Sequence, residues 1–515
     1  MKPSSPGSGL QLFDALISAQ ASSRGSAPYL LEARGSRILS YAALRDEIVD
    51  LRQQLRAWGV GRGDRVGLLL GDPLTFSSWF LAGLTAGAWV APLDPTVSTS
   101  NLIHLDARAQ SLGLGTVLSD RDAPERHFVP WHNVVAATPD VSSSGVLEIS
   151  DQTFSQGGVL LSSSGTTGTP KVVALPAAQL LETAELIARH NQLEVADRGF
   201  NPLPLWHINA EVVGLLSTLV AGASLILDDR FHRTGFWKII DDFEVTWINA
   251  VPVIISRLAV LQGDEVPPRR VRFIRSASAP LAPALFEQFE ASTGIPIIQS
   301  YGMTEAASQI CVNPLKGVRK SGSVGVAVGV EVRVVGTEDH APLTEANVVG
   351  HIEIRGSTVI KSYESAAYDD RFDAEGWLRT GDLGYFDDDG YLFIVGRTDD
   401  VINRGGEKIY PLEIENVLAA VEGVAAVAVI GEFDEVFGQI PVAYVEPVDV
   451  AVLSSLDEMS KLVERVRISS NEAFSRAYRP ALVKLVHHFP SHATGKIRKG
   501  LLREGDVVVV HEERL

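Results

Sequence analysis

The residues SSSGTTGTPK, at positions 162–171, combine small side chains, hydroxyl groups and one lysine. Apolar runs lie on both sides, at 159–161 and 172–175, and a helical pattern begins at Pro176. This pattern predicts a loop that joins two buried strands. Open backbone N–H groups, hydroxyls and a lysine ammonium favour the binding of phosphate oxygens, although no Gly-Lys-Ser/Thr follows at Walker A spacing. The alternative on composition alone is a flexible Ser/Gly turn.

Strand patterns alternate with helical patterns outward from this loop, which predicts an α/β protein. We expect strands at 272–275 and 295–299, with a helix at 284–293 between them. The residue composition changes near Gly396, where the segment GRTDDVINRGGEKIYPLEIE brings charges, glycines and a proline together. A compact α/β pattern follows, with helices at 412–418 and 461–474 and strands at 424–430 and 440–445. We therefore expect a disordered lead-in at 1–10, a large domain at 11–398 and a small domain at 399–515.

The bulk composition limits the classes of function. The chain has 515 residues, more than one ordinary core holds, and its formal net charge is −18, whereas nucleic-acid binders carry a basic surplus. The one cysteine, Cys311, excludes an intramolecular disulfide, suits a reducing, cytoplasmic compartment and is expected to be a packing residue. The start MKPSSPGSG has no apolar signal segment. The apolar stretch 212–227 is too short to span a membrane and predicts a buried helix, a turn and a buried strand.

Further motifs follow the loop in chain order: PLPLWHINA (202–210), SYGMTE (300–305), RTGDL (379–383), GRTDDVINRGGEKI (396–409) and TGKIRK (494–499). Together they resemble the motifs of the adenylate-forming superfamily, which holds acyl-CoA synthetases, luciferases and peptide-synthetase adenylation domains. The resemblance extends from about Leu12 to Leu502. FIRSASAPLAP, YGMTEAASQ, GVRKSGSVG and INRGGEKI are most similar to the oxalyl-CoA synthetase subgroup. The resemblance implies a large N-terminal domain of several subdomains with mixed sheets and helices, a small mobile α/β C-terminal domain, and an active site between them.

The resemblance also implies an ATP site. The residues that would hold the β- and γ-phosphates are Ser163, Ser164, Gly165, Thr166, Thr167, Gly168 and Lys171. The residues that would enclose adenine are Tyr301, stacked on the base, with Ser300 and Gly302 beside it and Ser278, Ala279 and Pro280 opposite. Thr304 would donate to the α-phosphate, and Glu305 would hold Mg²⁺, which prefers carboxylate oxygen. Asp382 would accept both ribose hydroxyls, with Arg397 also reaching the ribose.

A reaction in two steps is implied, first with ATP and then with coenzyme A as co-substrate. Lys496 would bridge the substrate carboxylate and the α-phosphate while AMP is transferred and pyrophosphate leaves. The C-terminal domain would then rotate about a hinge at Asp399 and bring a second loop to the site. In that loop Gly405, Gly406 and Lys408 would line the path of pantetheine, because glycine has no side chain to obstruct it. A tight turn needs the same glycines and is the alternative.

The acyl group is expected beside His207, Asn209 and Ser308. Oxalyl-CoA synthetases have histidines where this chain has Asn209 and Ser308, so two cationic partners for a second carboxylate are absent. We therefore expect oxalate to be a poor substrate and a monocarboxylate, or a small acid with a neutral polar group, to fit better. A preference for oxalate would require another group, such as an arginine. His207 could gate the acyl pocket, or it could be a packed aromatic residue.

Two other functions remain open on the sequence. An amino-acid or aryl-acid adenylation enzyme would load an acyl carrier protein in place of coenzyme A. Those that activate amino acids place an acid near the His207 region for the α-ammonium, and Glu211 is the only nearby acid. A catalytically inactive scaffold is disfavoured because Glu305, Asp382 and Lys496 are all present. The expected partners are thus a small-molecule carboxylate and coenzyme A, or a carrier protein, with no nucleic acid and no membrane span.

Overall fold

The computed structural model describes residues 9–96, 102–123, 127–135, 157–163, 171–491 and 496–515. The helices are α1 Gly9–Arg24, α2 Tyr41–Ala57, α3 Pro73–Ala86, α4 Leu102–Ser111, α5 Ala177–His190, α6 Ser217–Ala221, α7 Phe236–Asp242, α8 Pro252–Ala259, α9 Pro283–Thr293, α10 Pro411–Leu418, α11 Leu456–Ala473 and α12 Lys499–Glu504. A π-helix spans Ala210–Leu216, and 3₁₀ turns span Thr304–Ala306, Ala366–Arg371, Thr398–Asp400 and Val450–Ser454. Residues 9 and 10 of the expected disordered lead-in belong to α1, and 1–8 lie outside the described residues.

The strands, in chain order, are β1 Pro28–Glu32, β2 Ile38–Ser40, β3 Arg65–Leu69, β4 Trp89–Pro92, β5 Thr116–Ser119, β6 Trp131–Asn133, β7 Gly158–Ser163, β8 Lys171–Pro176, β9 Arg198–Asn201, β10 Ser224–Leu227, β11 Trp247–Ala250, β12 Phe273–Ser276, β13 Ile297–Tyr301, β14 Cys311–Val312, β15 Val326–Ala327, β16 Glu331–Val335, β17 Gly350–Arg355, β18 Leu378–Phe386, β19 Leu392–Arg397, β20 Ile402–Arg404, β21 Glu407–Ile409, β22 Val424–Asp434, β23 Gly438–Pro447, β24 Leu482–Val486 and β25 Val509–Arg514.

Two sheets form the body of the N-terminal part. One has nine strands in the order β15-β14-β13-β12-β11-β9-β10-β1-β2, and the other has six in the order β6-β5-β3-β4-β7-β8. The run from β13 through β12, β11, β9 and β10 to β1 is parallel, and its strands are almost entirely buried. Helices cover parallel sheets on both faces, which is why these strands are apolar runs and not alternating ones.

Local signals fix many helix ends. In α3, Asp72 accepts a hydrogen bond of 2.7 Å from the backbone N–H of Thr75, Pro73 opens the helix, and Gly87 ends it in the left-handed conformation. Within the same helix a Cβ on Gly83 would lie 2.5 Å from Cγ2 of Val90. Glycine there lets the helix lie close against β4.

The α/β prediction is confirmed, and the predicted strands and helices are present with ends shifted by a few residues. The helix expected at 461–474 begins five residues earlier, at Leu456, because the Ser455 hydroxyl caps it by accepting from Glu458 N–H. The stretch 212–227 is a buried helix, a left-handed turn at Gly222 and a buried strand, as expected, but its first part is a π-helix. Cys311 is fully buried. None of the helices in the described ranges has both the length and the apolar character to cross a bilayer.

The part of the chain after Asp399 has a sheet and a core of its own. Strands β16–β19 form a four-stranded antiparallel sheet, and β20–β25 form a separate six-stranded one. The apolar cluster of the latter runs from Ile402 to Leu485. Asp399 lies in the 3₁₀ turn between β19 and β20, so it stands between the two sheets. Its role as a hinge, and the domain boundary placed there, stay predictions.

Candidate active site

The nine-stranded sheet places the carboxyl ends of four parallel strands side by side: Asn201 of β9, Ala250 of β11, Ser276 of β12 and Tyr301 of β13. In open parallel sheets, ligands bind just outside such ends. The segments that follow β9, β12 and β13 carry the PLPLWHINA, SASAP and SYGMTE residues. The fold therefore gathers motifs that are far apart in sequence.

The backbone at these ends is unusual. Ser278, Ala307 and Ser308 have left-handed φ angles of 73°, 47° and 87°. Non-glycine residues in this region are uncommon, and they concentrate at functional sites. Gly302 is required for a different reason, since a Cβ there would lie 1.7 Å from the backbone oxygen of Ser308. The YGMTEAAS turn is thus held in one tight conformation.

The two strands predicted on either side of the 162–171 segment are present, and the phosphate-binding role of that segment stays a prediction. Strands β7 and β8 pair in antiparallel fashion, with Ser163 directly opposite Lys171. The connection is therefore strand–loop–strand. The predicted phosphate ligands Ser164, Gly165, Thr166, Thr167 and Gly168 lie outside the described residues.

Lys171 and Glu305 meet at the base of this loop. The Lys171 ammonium forms an ion pair with the Glu305 carboxylate, which is only 5% exposed. The Tyr363 hydroxyl donates a hydrogen bond of 2.9 Å to Oε1 of Glu305, and its ring centroid lies 4.4 Å from the Lys171 nitrogen. Burial and the Glu305 charge raise the pKa of Tyr363, so its hydroxyl remains a donor. The carboxylate is therefore fixed by a cation and a neutral donor.

A magnesium ion fits this arrangement. Magnesium in nucleotide sites takes one or two carboxylates together with phosphate oxygens and water. Glu305 supplies one such carboxylate, and Lys171 balances its charge in the absence of an ion. Among the described residues, Glu305 is not part of a close group of three metal-type ligands. One such group occurs in that part of the chain, Asp228, Asp229 and His232, where Asp228 is paired with Arg34.

The residues assigned to adenine and ribose also meet. Asp382 of β18 lies directly opposite Arg397 of β19, and its Oδ1 pairs with the guanidinium at 3.3 Å. The Tyr301 hydroxyl donates to the other oxygen of Asp382. Burial raises the pKa of Asp382, and Arg397 opposes that rise. Burial and the Asp382 charge raise the pKa of Tyr301. Both carboxylate oxygens that are expected to accept ribose hydroxyls therefore have internal partners.

The other residues of the predicted nucleotide site differ in orientation. Ser278 and Pro280 are exposed and Ala279 is half-buried, so this segment is open to a ligand. Thr304 begins a 3₁₀ turn and is half-buried. Ser300 differs, because its hydroxyl is buried and donates 3.2 Å to the backbone oxygen of Ser276. Its side chain ties β13 to β12.

Lys496 reaches the nucleotide residues from the C-terminal part. Its side chain has an exposed surface, yet it lies in the electrostatic field of Asp382, Arg397 and Asp400. Crowding by protein atoms lowers the pKa of its ammonium, Arg397 lowers it further, and the two carboxylates oppose this. Lys496 therefore lies close enough to Asp382 and Arg397 for their charges to act on its ammonium.

The predicted coenzyme A loop faces solvent. Gly405, Gly406 and Lys408 are all exposed. The two glycines have φ angles of 59° and 96° and form the turn between β20 and β21. A two-residue turn with positive φ at both positions is the usual hairpin connection. The tight-turn interpretation is confirmed, and the coenzyme A role stays a prediction.

The residues assigned to the acyl group lie on the other side of the same strand ends. Asn209 and Ser308 are both buried, each 6% exposed. Oδ1 of Asn209 accepts a hydrogen bond of 2.8 Å from Nδ2 of Asn249, which also bonds Oδ1 of Asn201 at 2.9 Å. His207 is half-buried, and its ring lies 6.0 Å from that of Trp206. Asn209 thus belongs to a buried asparagine network.

Sequence reasoning missed Tyr363, Asn249 and Arg275. Nothing local marks Tyr363, because its contact with Glu305 spans 58 residues. Asn249 and Arg275 carried a usable signal, since each is a polar residue inside an otherwise apolar parallel strand. Buried polar groups in such strands need hydrogen-bond partners, so these positions indicate a polar cluster inside the fold.

Comparison with known proteins gives consistent matches across the chain. Residues 17–364 match the family described as AMP-binding enzyme, and 413–496 match its C-terminal domain. Sulfoacetate–CoA ligase of Cupriavidus necator is 35% identical, over 84% of this chain and 88% of that protein. Oxalate–CoA ligase of Arabidopsis thaliana is 32% identical, over 92% and 95%. The structure of O-succinylbenzoate coenzyme A synthetase from Bacillus subtilis, in complex with ATP and magnesium ion, matches with a TM-score of 0.79 and 27% identity, over 95% of this chain and 98% of that one.

Proposed function

This chain belongs to the family of AMP-binding enzymes, and from that premise we propose that it converts a small carboxylic acid to an acyl-adenylate and then to a coenzyme A thioester. The observation that carries the proposal is the meeting of three groups at one set of strand ends. These are the Lys171–Glu305 pair, the Tyr301–Asp382–Arg397 group and Lys496. They come from distant motifs, and together they suit a triphosphate, a ribose and a reacting carboxylate.

The first step joins the acid to AMP. A carboxylate oxygen of the substrate attacks the α-phosphorus, the bond to the bridging oxygen of the β-phosphate breaks, and pyrophosphate leaves. Lys496 binds the carboxylate and the α-phosphate, and its charge offsets the negative charge that grows on the transferred group. Lys171 would bind the β- and γ-phosphates, and Glu305 would hold a magnesium ion, which would supply further charge neutralisation there. Asp382 orients the ribose through its hydroxyls.

The second step needs a different pose. The coenzyme A sulfur attacks the acyl carbon, the acyl–oxygen bond breaks, and AMP leaves while the thiol proton passes to solvent. Lys496 stands beside Asp382 here, and the Gly405–Gly406 turn is exposed. A rotation about Asp399 would exchange these two elements.

Coenzyme A is favoured as the acceptor because the alternative, an enzyme that loads an amino acid onto a carrier protein, fits the site poorly. An α-ammonium needs an ionised carboxylate, and Glu211 is the nearby acid in sequence. Glu211 is fully buried, and burial raises its pKa well above the usual range, which favours the neutral form of the carboxyl. A neutral carboxyl is a poor partner for an ammonium group.

The single cysteine also supports a cytoplasmic location.

The test is a panel of carboxylic acids assayed for pyrophosphate release, with and without coenzyme A. The acids named for the similar proteins carry a second acid group besides the activated carboxylate, so the panel includes such acids beside simple monocarboxylates. We expect at least one acid to give ATP-dependent pyrophosphate release and, with coenzyme A, a thioester. Pyrophosphate release from no acid tested would contradict the proposal. Product formed on a carrier protein but not on coenzyme A would favour the alternative acceptor.

A further inference from the structure

Arg275 of β12 is a fully buried arginine that pairs with no carboxylate among the described residues. Its side chain is 0% exposed. Within the described part of the chain, its hydrogen-bond acceptors are two amide oxygens, Oδ1 of Asn191 at 3.5 Å and Oε1 of Gln309 at 2.8 Å. Arg272, three residues earlier, is paired with Asp197 at 2.8 Å. A buried cation that no anion balances is unfavourable in an unliganded fold.

The surroundings of Arg275 hold further donors without acceptors. Nε of Arg275, Nδ2 of Asn191 and Nε2 of Gln309 are all buried, and none has a hydrogen-bond partner among the described residues. Both amides turn their oxygens toward the guanidinium, so their nitrogens point elsewhere and have no acceptor among the described residues. Three unused donors around one positive charge match the needs of an anion with several acceptor oxygens.

This donor cluster adjoins the positions assigned to the acyl group. Arg275 lies directly opposite Asn249 on the neighbouring strand, and Asn249 bonds Asn209. Gln309 follows Ser308 in the chain. Along β12, the open segment that begins at Ser278 is three residues away, at most about 11 Å. The cluster is therefore next to the acyl positions, through the β11–β12 register on one side and through the chain on the other.

We propose that Arg275, Asn191 and Gln309 bind a second anionic group of the acyl substrate, so that the preferred acids carry a carboxylate or sulfonate at the end away from the activated carboxylate. The inference rests on the proposed function and names its substrate class. It reverses the expectation drawn from Asn209 and Ser308, because the cation comes from a strand position and not from those two residues.

The titration of Arg275 agrees with this geometry. Burial lowers the pKa of Arg275 to about 9, the direction expected for a cation that lacks an anion. A guanidinium nevertheless stays protonated near pH 7. A bound carboxylate or sulfonate would supply the missing charge.

The test compares acids of similar size in pairs: succinate with butyrate, and sulfoacetate with propionate. For wild type we expect kcat/KM for pyrophosphate release to favour the dianionic acid of at least one pair by about tenfold or more. Arg275→Met should lower kcat/KM for that dianion by about 100-fold and change the value for its partner by less than about threefold. Arg275→Lys, which restores a charge, should recover part of the loss. The two pairs separate a carboxylate from a sulfonate.

The matched control is Arg272→Met. It removes a guanidinium three residues before Arg275 and should leave the preference for the dianionic acid unchanged. Gln309→Met removes one donor and keeps the charge, so it should lower the preference by a smaller factor, and it serves if Arg275→Met does not fold. A wild type that prefers the monoanion in both pairs would overturn the inference and leave the proposed function intact. Equal losses on both acids in folded Arg275→Met would assign the residue a structural role.

Discussion

The two sides of the site differ in how their polar groups are satisfied. On the nucleotide side the charged groups have partners: Lys171 pairs with Glu305, and Asp382 pairs with Arg397 while accepting from Tyr301. On the acyl side, within the part of the chain that the structure describes, Arg275 bonds two amide oxygens and no carboxylate, and donors of both amides have no acceptor. ATP must therefore replace internal contacts, whereas an acyl group with a second anion would supply missing ones.

This difference has a physical consequence for binding. When a ligand contact replaces an internal ion pair, the gain in binding free energy is only the difference between the two interactions. The nucleotide side therefore relies on many contacts made at once. Filling an unpaired donor cluster removes an existing penalty, so it gives strong discrimination between ligands with and without the matching group. The nucleotide side is thus suited to catalysis and the acyl side to selection.

The largest expected effect on the nucleotide side comes from Lys496→Ala. Adenylate formation, measured by pyrophosphate exchange, should fall by about 100-fold or more because the charge on the transferred group loses its partner. Thioester formation from supplied acyl-AMP should stay within a few-fold. The control is Lys499→Ala, whose ammonium pairs with Glu415 at 2.6 Å. Equal losses in both half-reactions would remove Lys496 from this role.

Asp399→Pro should act on the second step instead. Proline fixes φ, so a hinge that must change φ and ψ is blocked. Adenylate formation should persist, because the structure already shows Lys496 beside Asp382. Thioester formation from acyl-AMP should slow by about tenfold or more. Asp388→Pro is the control, since Asp388 lies in the exposed turn closed by the Gly390 N–H to Asp387 oxygen hydrogen bond. Full overall turnover in Asp399→Pro would show that the hinge lies elsewhere.

Tyr363→Phe tests the internal contacts of the phosphate side with a smaller change. The variant removes the 2.9 Å hydrogen bond to Glu305 and keeps the ring against Lys171. A hydrogen bond to a charged group contributes about 1.5 kcal/mol, so KM for magnesium–ATP should rise about tenfold. Tyr391→Phe removes a hydroxyl bonded to the Val318 oxygen and keeps the ring near Lys320, which makes it a matched control. An unchanged KM and unchanged magnesium dependence would show that Tyr363 does not orient Glu305.

The last prediction concerns folding stability, not catalysis, on the acyl side. Both carboxyl oxygens of Glu211 are buried without a hydrogen-bond partner among the described residues, and burial raises the pKa of Glu211. The folded state therefore holds a proton that the unfolded state releases above about pH 4.5. The contribution of Glu211 to the free energy of unfolding therefore falls as pH rises from about 4.5 to the raised pKa of the folded state. The slope is up to about 1.4 kcal/mol per pH unit.

Glu211→Gln removes that titration. Urea unfolding between pH 5 and 8 should show the variant gaining stability relative to wild type as pH rises. The exposed Glu185, changed to Gln, should give no such trend. Parallel stability curves for wild type and Glu211→Gln would mean that Glu211 is charged in the folded protein.

Local and periodic features of the fold could be predicted from the sequence. The strand–loop–strand around 162–171, the element at 284–293 and the turn at Gly405 follow from apolar runs, prolines and glycines that act over a few residues. The start of α11 was misplaced, because the Ser455 cap carries more weight than the apolar pattern that begins later. The π-helix at Ala210–Leu216 could not be predicted, since its hydrogen bonds are compatible with the same apolar sequence as an α-helix.

The sequence by itself determined the α/β class and the motif residues, because these depend on residue type and spacing along the chain. The order of the motifs carried the family resemblance that implied the adenylate-forming chemistry. Only the tertiary structure decided which side chains are partners. It paired Glu305 with Lys171 and Tyr363, turned Ser300 into the sheet, brought Lys496 into the electrostatic field of Asp382 and gave Arg275 no anion among the described residues. Such partnerships join residues that are far apart in the chain, and burial sets their strength. Both arise only when the strands and domains are packed together.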